Sequence, residues 1–393
     1  SEGERTVLET VFWSSGASRT GLAALSTFSK SKANATAAAL LERGLLEETG
    51  MQASSGGRRP ETLRLARSMG VLVGVDLGAT SLDVAVIAPD MTVLAHETES
   101  ADVRQGPGAV MSRTRELMQQ LLRHCEITKD RVIGIGMGVP GPVAFDSGLL
   151  FNPPLMPGWE GFSIRDYLGE DYAAPVFIDN DVNVMALGEL WRSQRQVPNF
   201  LVVKVGTGIG CGIVCNGEVY RGSTGSAGDV GHICVDPNGP RCHCGNQGCV
   251  EAMAAGPAVS RMAVDAAQAG ESPVLAALLA EKGAISPIDV GRASRGGDAA
   301  ANAIVQKAGA LIGQMLASVV NFYNPSQVVI GGGLSHIGPL FLASIRQSVY
   351  HRSLALSTRH LDIHYAPLGE RAGVIGAAVL ALQETLRIGR KAA

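Results

Sequence analysis

Four residues near the middle of the chain, His232, Cys242, Cys244 and Cys249, follow the spacing H-x9-C-x-C-x4-C. Three thiolates and an imidazole this close in sequence can wrap one tetrahedral ion, and zinc suits that donor set best. With all four positions filled by protein, no site remains for an activated water, so the spacing predicts a structural ion. A redox-sensitive thiol cluster is the competing reading of the same residues. Three of the seven cysteines crowd into eight residues, which in a reducing compartment favours metal over disulfides. Cys125, Cys211, Cys215 and Cys234 read instead as small buried residues.

The elements that must hold such a site fall into two textures. Residues 5–48 show apolar positions recurring at three and four, which predicts three short helices in RTVLETVFWSS, RTGLAALSTF and KANATAAALLERGLL. Ser18 can cap the second, and Ser29 or Ser31 the third. Beyond Gly44, the runs LLEET and ETLRLA flank the polar GMQASSGGRRP and read as a β-hairpin with a flexible tip. Three helices and a hairpin make a winged helix-turn-helix. From Val71 onward strand and helix patterns alternate. Helices are predicted around Ala109–Cys125, Val184–Trp191, Ala300–Phe322, Leu340–Val349 and Gly376–Arg387. Strands are predicted at Val132–Met137, Pro175–Ile178, Phe200–Val205, Gly212–Val214 and Gln327–Ile330. That is an α/β body with ligand loops at strand ends, and its two β-rich openings point to the duplicated halves of an actin-like ATPase fold.

Composition narrows the classes further. At 393 residues, with 46% hydrophobic and 18% charged, the chain has room for two or three ordinary globular domains. No uninterrupted apolar run approaches the roughly 20 residues of a membrane helix, and the opening SEGERTVLET is acidic where a signal peptide is basic and then apolar. A cytoplasmic protein with no membrane partner is expected. A net charge of -3 gives no global nucleic-acid signature, so DNA binding needs a local patch. From Ala17 to Arg67 eight basic residues face four acidic ones.

Three segments carry a family resemblance: FIDNDVNVMALGELW (177–191), KVGTGIGCGIVCNGEVYRGSTGSAGDVGHICVD (204–236) and CHCGNQGCVE (242–251). Their ordered motifs resemble the ROK family (repressor, open reading frame, kinase) over residues 71–385, and the helical front extends the likeness to its repressor branch. The resemblance implies a sugar-kinase-like body in which Asn180, Asp181, His232 and Glu251 face a sugar, with Asp229 where the family usually carries Glu. His232 would serve twice, one ring nitrogen on zinc and the other donating to a hydroxyl. In the kinase reading Asp181 is the general base.

The same resemblance implies an ATP site at Asp76, Gly78 and Thr80, with Gly206, Thr207, Gly208 and Gly332. Glycine turns there offer backbone N–H groups to phosphate, and Asp76 offers a carboxylate to Mg2+. This chain departs from the family's kinases at Ala79 and Ser81, where they carry Gly and Lys. A methyl that obstructs phosphate and a missing cation follow, so ATP and Mg2+ are expected only if kinase activity is retained. Gly56–Pro60 resembles the repressor wing. Arg58 and Arg59 would enter a minor groove while Lys30, Lys32, Asn34 and Thr36 meet phosphates and base edges.

The expected division is a winged helix-turn-helix at 1–68, a small α/β lobe at 69–185 with 376–393, and a large lobe with the zinc site at 186–375. The expected function is a regulator, in the first place a repressor, whose operator binding answers to a sugar or sugar phosphate. Its partners would be operator DNA, the sugar effector and a second copy, as a homodimer or a dimer of dimers. The alternative is an ATP-dependent, glucokinase-like sugar kinase.

Overall fold

The computed structural model describes residues 1–49, 62–153 and 155–388. Three helices open the chain, Glu2–Trp13, Arg19–Leu25 and Lys30–Glu42. Ser18 caps the second by accepting from the Gly21 N–H at 3.0 Å, and Ser29 caps the third by accepting from the Lys32 N–H at 3.3 Å. The four residues between those two helices make the tight connection of a helix-turn-helix. Leu46–Thr49 pairs antiparallel with Thr62–Leu65, and a short strand Ala17–Ser18 adds to the far edge of Thr62–Leu65. That third strand is too short to leave an alternating pattern in the sequence. The hairpin tip, with Arg58 and Arg59, lies outside the described residues.

Contacts divide the chain into Ser1–Gln196 with Arg371–Ala393, and Val197–Glu370. The sheet of the first unit runs in the order Val176–Asn180, Val132–Val139, Val71–Leu77, Ser81–Ile87, Val93–Ser100. Its first three strands are parallel and its last two antiparallel. The second unit repeats this pattern. Its order is Asp362–Tyr365, Gln327–Gly331, Phe200–Val205, Ile209–Cys215, Glu218–Tyr220, again three parallel strands followed by two antiparallel ones. In each unit a β-hairpin follows the central strand and longer crossovers lead to the outer parallel strands, which is the duplication expected from the sequence.

Helix Ala372–Ile388 closes the first unit by lying against the sheet and against helix Asp181–Arg192. Glycine makes the approach possible. A methyl on Gly136 would overlap the Ala377 carbonyl, and one on Gly376 would overlap the Val184 carbonyl. In the second unit helix Ala299–Tyr323 has 25 residues and is apolar enough to cross a membrane by length and composition. Here it buries Ile304, Val305, Ile312, Leu316 and Val320 in the unit's own core, packed against helix Pro339–Arg352. Four helices between residues 250 and 295, at Val250–Ala254, Gly256–Gln268, Pro273–Lys282 and Pro287–Arg295, had no counterpart in the sequence reading.

Candidate functional site

The four candidate metal ligands come from three places in one stretch of the second unit. Val230–His232 is a single turn of 3-10 helix, the knuckle 242–249 is a glycine-bent loop, and Cys249 is the residue before helix Val250–Ala254. The backbone ties these pieces together. The Cys242 N–H donates to the Asn246 carbonyl at 2.7 Å, the Val235 N–H to Gly248 at 2.9 Å and the Val250 N–H to Ile233 at 3.0 Å.

One ligand atom from each of His232, Cys242, Cys244 and Cys249 lies within 4.8 Å of all the others. The Cys242 Sγ is 3.7 Å from the His232 Nδ1, and the Cys244 Sγ is 3.7 Å from the Cys249 Sγ. A tetrahedron built on Zn–S bonds of about 2.3 Å has edges of roughly 3.8 Å, so the spacing fits a zinc ion. Burial raises the Cys242 thiol and, with hydrogen bonds from Cys244 and Cys242, pushes the Cys249 thiol up to about 12. A dication among the sulfurs reverses that preference by stabilising the thiolates. Cys234, expected to be buried, is exposed, and Cys125 and Cys215 are half-buried; only Cys211 among those four is buried.

His232 also belongs to a second group, with His243 and Glu251, whose ligand atoms again lie within 4.8 Å of one another. The Glu251 Oε2 accepts from the Ile209 N–H at 2.8 Å, and its Oε1 is 3.5 Å from the His243 Nε2. Glycine makes room for this carboxylate: a methyl on Gly208 would meet the Glu251 Oε2 at 2.7 Å. His243 was missed in the sequence, although its place between Cys242 and Cys244 was a signal. The His232 and His243 rings meet edge to face with centroids 5.5 Å apart. Asp229 starts the turn that carries His232 but caps nothing with its side chain. Desolvation raises its carboxyl above the ordinary aspartate range, and the charge of His232 acts in the opposite direction.

In the first unit the strand register sets Asp76, Gly138 and Asp179 side by side at the carboxyl ends of three parallel strands. Asn180 is the N-cap of helix Asp181–Arg192. The Asn180 Oδ1 accepts from the Val182 N–H at 3.0 Å, and its Nδ2 donates to the Gly141 carbonyl at 3.1 Å. Asp181 then stands at the first helical position, where the helix dipole favours a carboxylate. The buried Asp179, unnoticed in the sequence, accepts from the Asn180 N–H and the Asn183 Nδ2, and so fixes the turn. A methyl on Gly138 would meet the Asp181 Cα at 3.2 Å and the Asp76 Oδ1 at 3.4 Å, so both acids flank that glycine.

The phosphate-type loops sit at strand ends in each unit. The Gly78 N–H donates to the Ser81 carbonyl at 2.8 Å, leaving Thr80 exposed at the tip. Ala79, half-buried, packs against the core of its unit. In the second unit the Gly206 N–H donates to the Gly208 carbonyl at 2.9 Å, with Thr207 exposed between them. Gly332, at φ 84, packs against Val205, the last residue of the neighbouring strand, in a conformation glycine adopts at no steric cost. On the third helix Lys30, Lys32 and Asn34 are exposed and Thr36 is half-buried, while Ala33, Ala37 and Leu40 turn inward. The Lys32 ammonium stands 4.0 Å over the Phe28 ring.

A model of the ROK family matches residues 72–384. The chain belongs to the ROK family. A putative xylose repressor from Caldicellulosiruptor sp. is 30% identical over 385 residues, covering 97% of this chain and 95% of its own length. A glucokinase from Halalkalibacterium halodurans is 32% identical over 314 residues; 95% of that enzyme is covered but only 79% of this chain. The crystal structure of a ROK family transcriptional regulator, a homolog of the E. coli MLC protein, superposes with a TM-score of 0.81 at 27% identity over 98% of this chain and 96% of that one. Both regulators and kinases are therefore relatives. The glucokinase match leaves about a fifth of this ROK chain uncovered, and the family model begins at residue 72, after the N-terminal helices.

Proposed function

We propose that this ROK protein is a transcriptional regulator, in the first place a repressor, whose operator binding responds to a sugar or sugar phosphate. One observation carries the reading: three helices stand in front of the body that the family model matches, and the repressor relative covers 97% of the chain where the glucokinase covers 79%. Lys30, Lys32, Asn34 and Thr36 meet DNA from the third helix and Arg58 and Arg59 from the wing. Asn180, Asp181, Asp229, His232 and Glu251 contact the sugar. Two copies read a two-fold operator. The test is selection of genomic DNA fragments by the full chain with and without D-xylose or D-glucose. Recovery of no preferred fragment, together with turnover of a sugar near about 1–100 per second, would overturn it in favour of a kinase.

That second reading has its own support in Asp181 at a helix start beside Asp76. In it Asp181 takes the hydroxyl proton, and Asp76, Gly78, Thr80, Gly206, Thr207, Gly208 and Gly332 serve ATP and Mg2+.

The metal in this proposal is one structural zinc per chain on His232, Cys242, Cys244 and Cys249. Metal analysis of the purified protein is expected to return one equivalent, and a folded protein without zinc would remove it from the scheme. In the wing, Arg58→Ala with Arg59→Ala is expected to weaken DNA binding without changing sugar affinity. Each lost phosphate contact should reduce the log–log salt slope by about 1. A double variant with the parent's slope would make the segment a linker.

The signal also needs a route, and the same proposal includes one. Helix Asp181–Arg192 starts at the sugar residues and runs about 18 Å to its other end. Two residues after its Ser193 C-cap, the Arg195 guanidinium lies 3.9 Å over the ring of Trp13, on the first helix of the N-terminal domain.

A further inference from the structure

We propose that Cys234 is an oxidation site that forms a disulfide with Cys249 and so withdraws that thiol from the metal knuckle. The inference rests on the zinc reading only for its consequence, because the pairing itself follows from backbone register. Cys234 and Cys249 are antiparallel bridge partners. The hydrogen bonds around them, Val250 N–H to Ile233 and Val235 N–H to Gly248, are made by their flanking residues. They are therefore a non-hydrogen-bonded pair, the kind whose Cα atoms approach to about 4.5 Å with side chains on one face. Disulfides form across Cα separations of about 4.4–6.8 Å. The Cys234 sulfur lies toward the opposite segment: a methyl on Gly248, beside Cys249 in the chain, would lie 3.2 Å from it.

Exposure and ligation select Cys234 over its neighbours. Cys242, Cys244 and Cys249 make up the metal group with His232, and Cys234 stands outside it. It is exposed, so it is the thiol in this region that an oxidant reaches without first breaking a metal bond. With hydrogen peroxide as oxidant, the Cys234 thiol becomes a sulfenic acid and one water is released. The Cys249 sulfur then attacks the sulfenic sulfur, the S–S bond forms, and the departing hydroxide takes a proton to give the second water. The two thiols lose two electrons and peroxide gains them. The tetrahedron is left with three ligands, and zinc leaves.

The experiment uses the full chain as purified, with its metal content measured beforehand. Hydrogen peroxide is added, zinc release is followed with a chromogenic chelator, and cross-linked peptides are mapped without reduction. The expected result is a Cys234–Cys249 peptide that accumulates as zinc appears, with both reversed by a dithiol and added zinc. Cys234→Ser, a change outside the metal group, should lose that peptide and slow the release. Zinc leaving Cys234→Ser as fast as it leaves the parent, or cross-links confined to Cys242, Cys244 and Cys249, would overturn the proposal. If the purified chain holds no zinc, the zinc reading fails by itself, and the peptide map still decides whether the two cysteines pair.

Discussion

Cys242→Ser is expected to lower sugar affinity about 10–100-fold, although Cys242 is not among the residues proposed to touch sugar. Its sulfur lies 3.7 Å from the His232 Nδ1. With zinc present, that nitrogen is a ligand and the imidazole is fixed in tautomer and direction, which leaves the other nitrogen to meet a hydroxyl. Serine removes a soft ligand from a site of four, the metal is lost, and the ring is free to turn. Asp181→Asn supplies the contrast. It keeps size and zinc, should weaken sugar binding, and should abolish any phosphorylation, because an amide cannot take the proton. Calorimetric titration of both variants, with zinc content measured in parallel, reads the difference. A zinc-free, folded Cys242→Ser that binds sugar like the parent would show metal and effector sites to be independent.

The metal knuckle was legible in the sequence because its ligands fall within eighteen residues of one another, so spacing is nearly geometry there. The same locality made Ser18 and Ser29 readable as caps, since a cap answers to a residue two or three positions away. What escaped depends on contacts between distant segments. The glycines at 136 and 376 meet the backbone of helices whose sequence positions are far removed. Asp179 gave no sign that it would be buried and hold the Asn180 turn. The helices between 250 and 295 were missed although Pro273 and Pro287 stand at helix starts, where proline is favoured. Only Pro273–Lys282 carries weak amphipathic contrast, and it is held by packing against Gly256–Gln268 and Pro287–Arg295; those two helices do show an apolar face, which faces helix Ala299–Tyr323. His243 was passed over because the cysteines on either side already explained the motif.

Arg195→Gln is expected to uncouple the sugar from the operator while leaving the binding of sugar itself unchanged. The guanidinium stacks on Trp13, which is 8% exposed, so this is a largely desolvated cation–π contact of about 2 kcal/mol, a factor of about 30 in an equilibrium. Sugar-to-DNA coupling in regulators is typically worth 1–3 kcal/mol, so a contact of this size can carry most of it. Gln194 and Arg195 both hold positive φ, at 51° and 57°, a conformation that costs non-glycine residues about 1–3 kcal/mol each unless the surroundings impose it. A segment held in that state at the end of helix Asp181–Arg192 can settle into a second arrangement when the start of the helix is pulled by ligand. Operator affinity measured with and without the responding sugar gives the ratio that matters. For the parent it should differ clearly from one, for Arg195→Gln it should approach one, and Arg195→Lys, which restores a cation over the ring, should recover part of it. An Arg195→Gln protein with the parent's full ratio would remove this contact from the route, whereas a parent with no sugar response at all would remove the regulator reading.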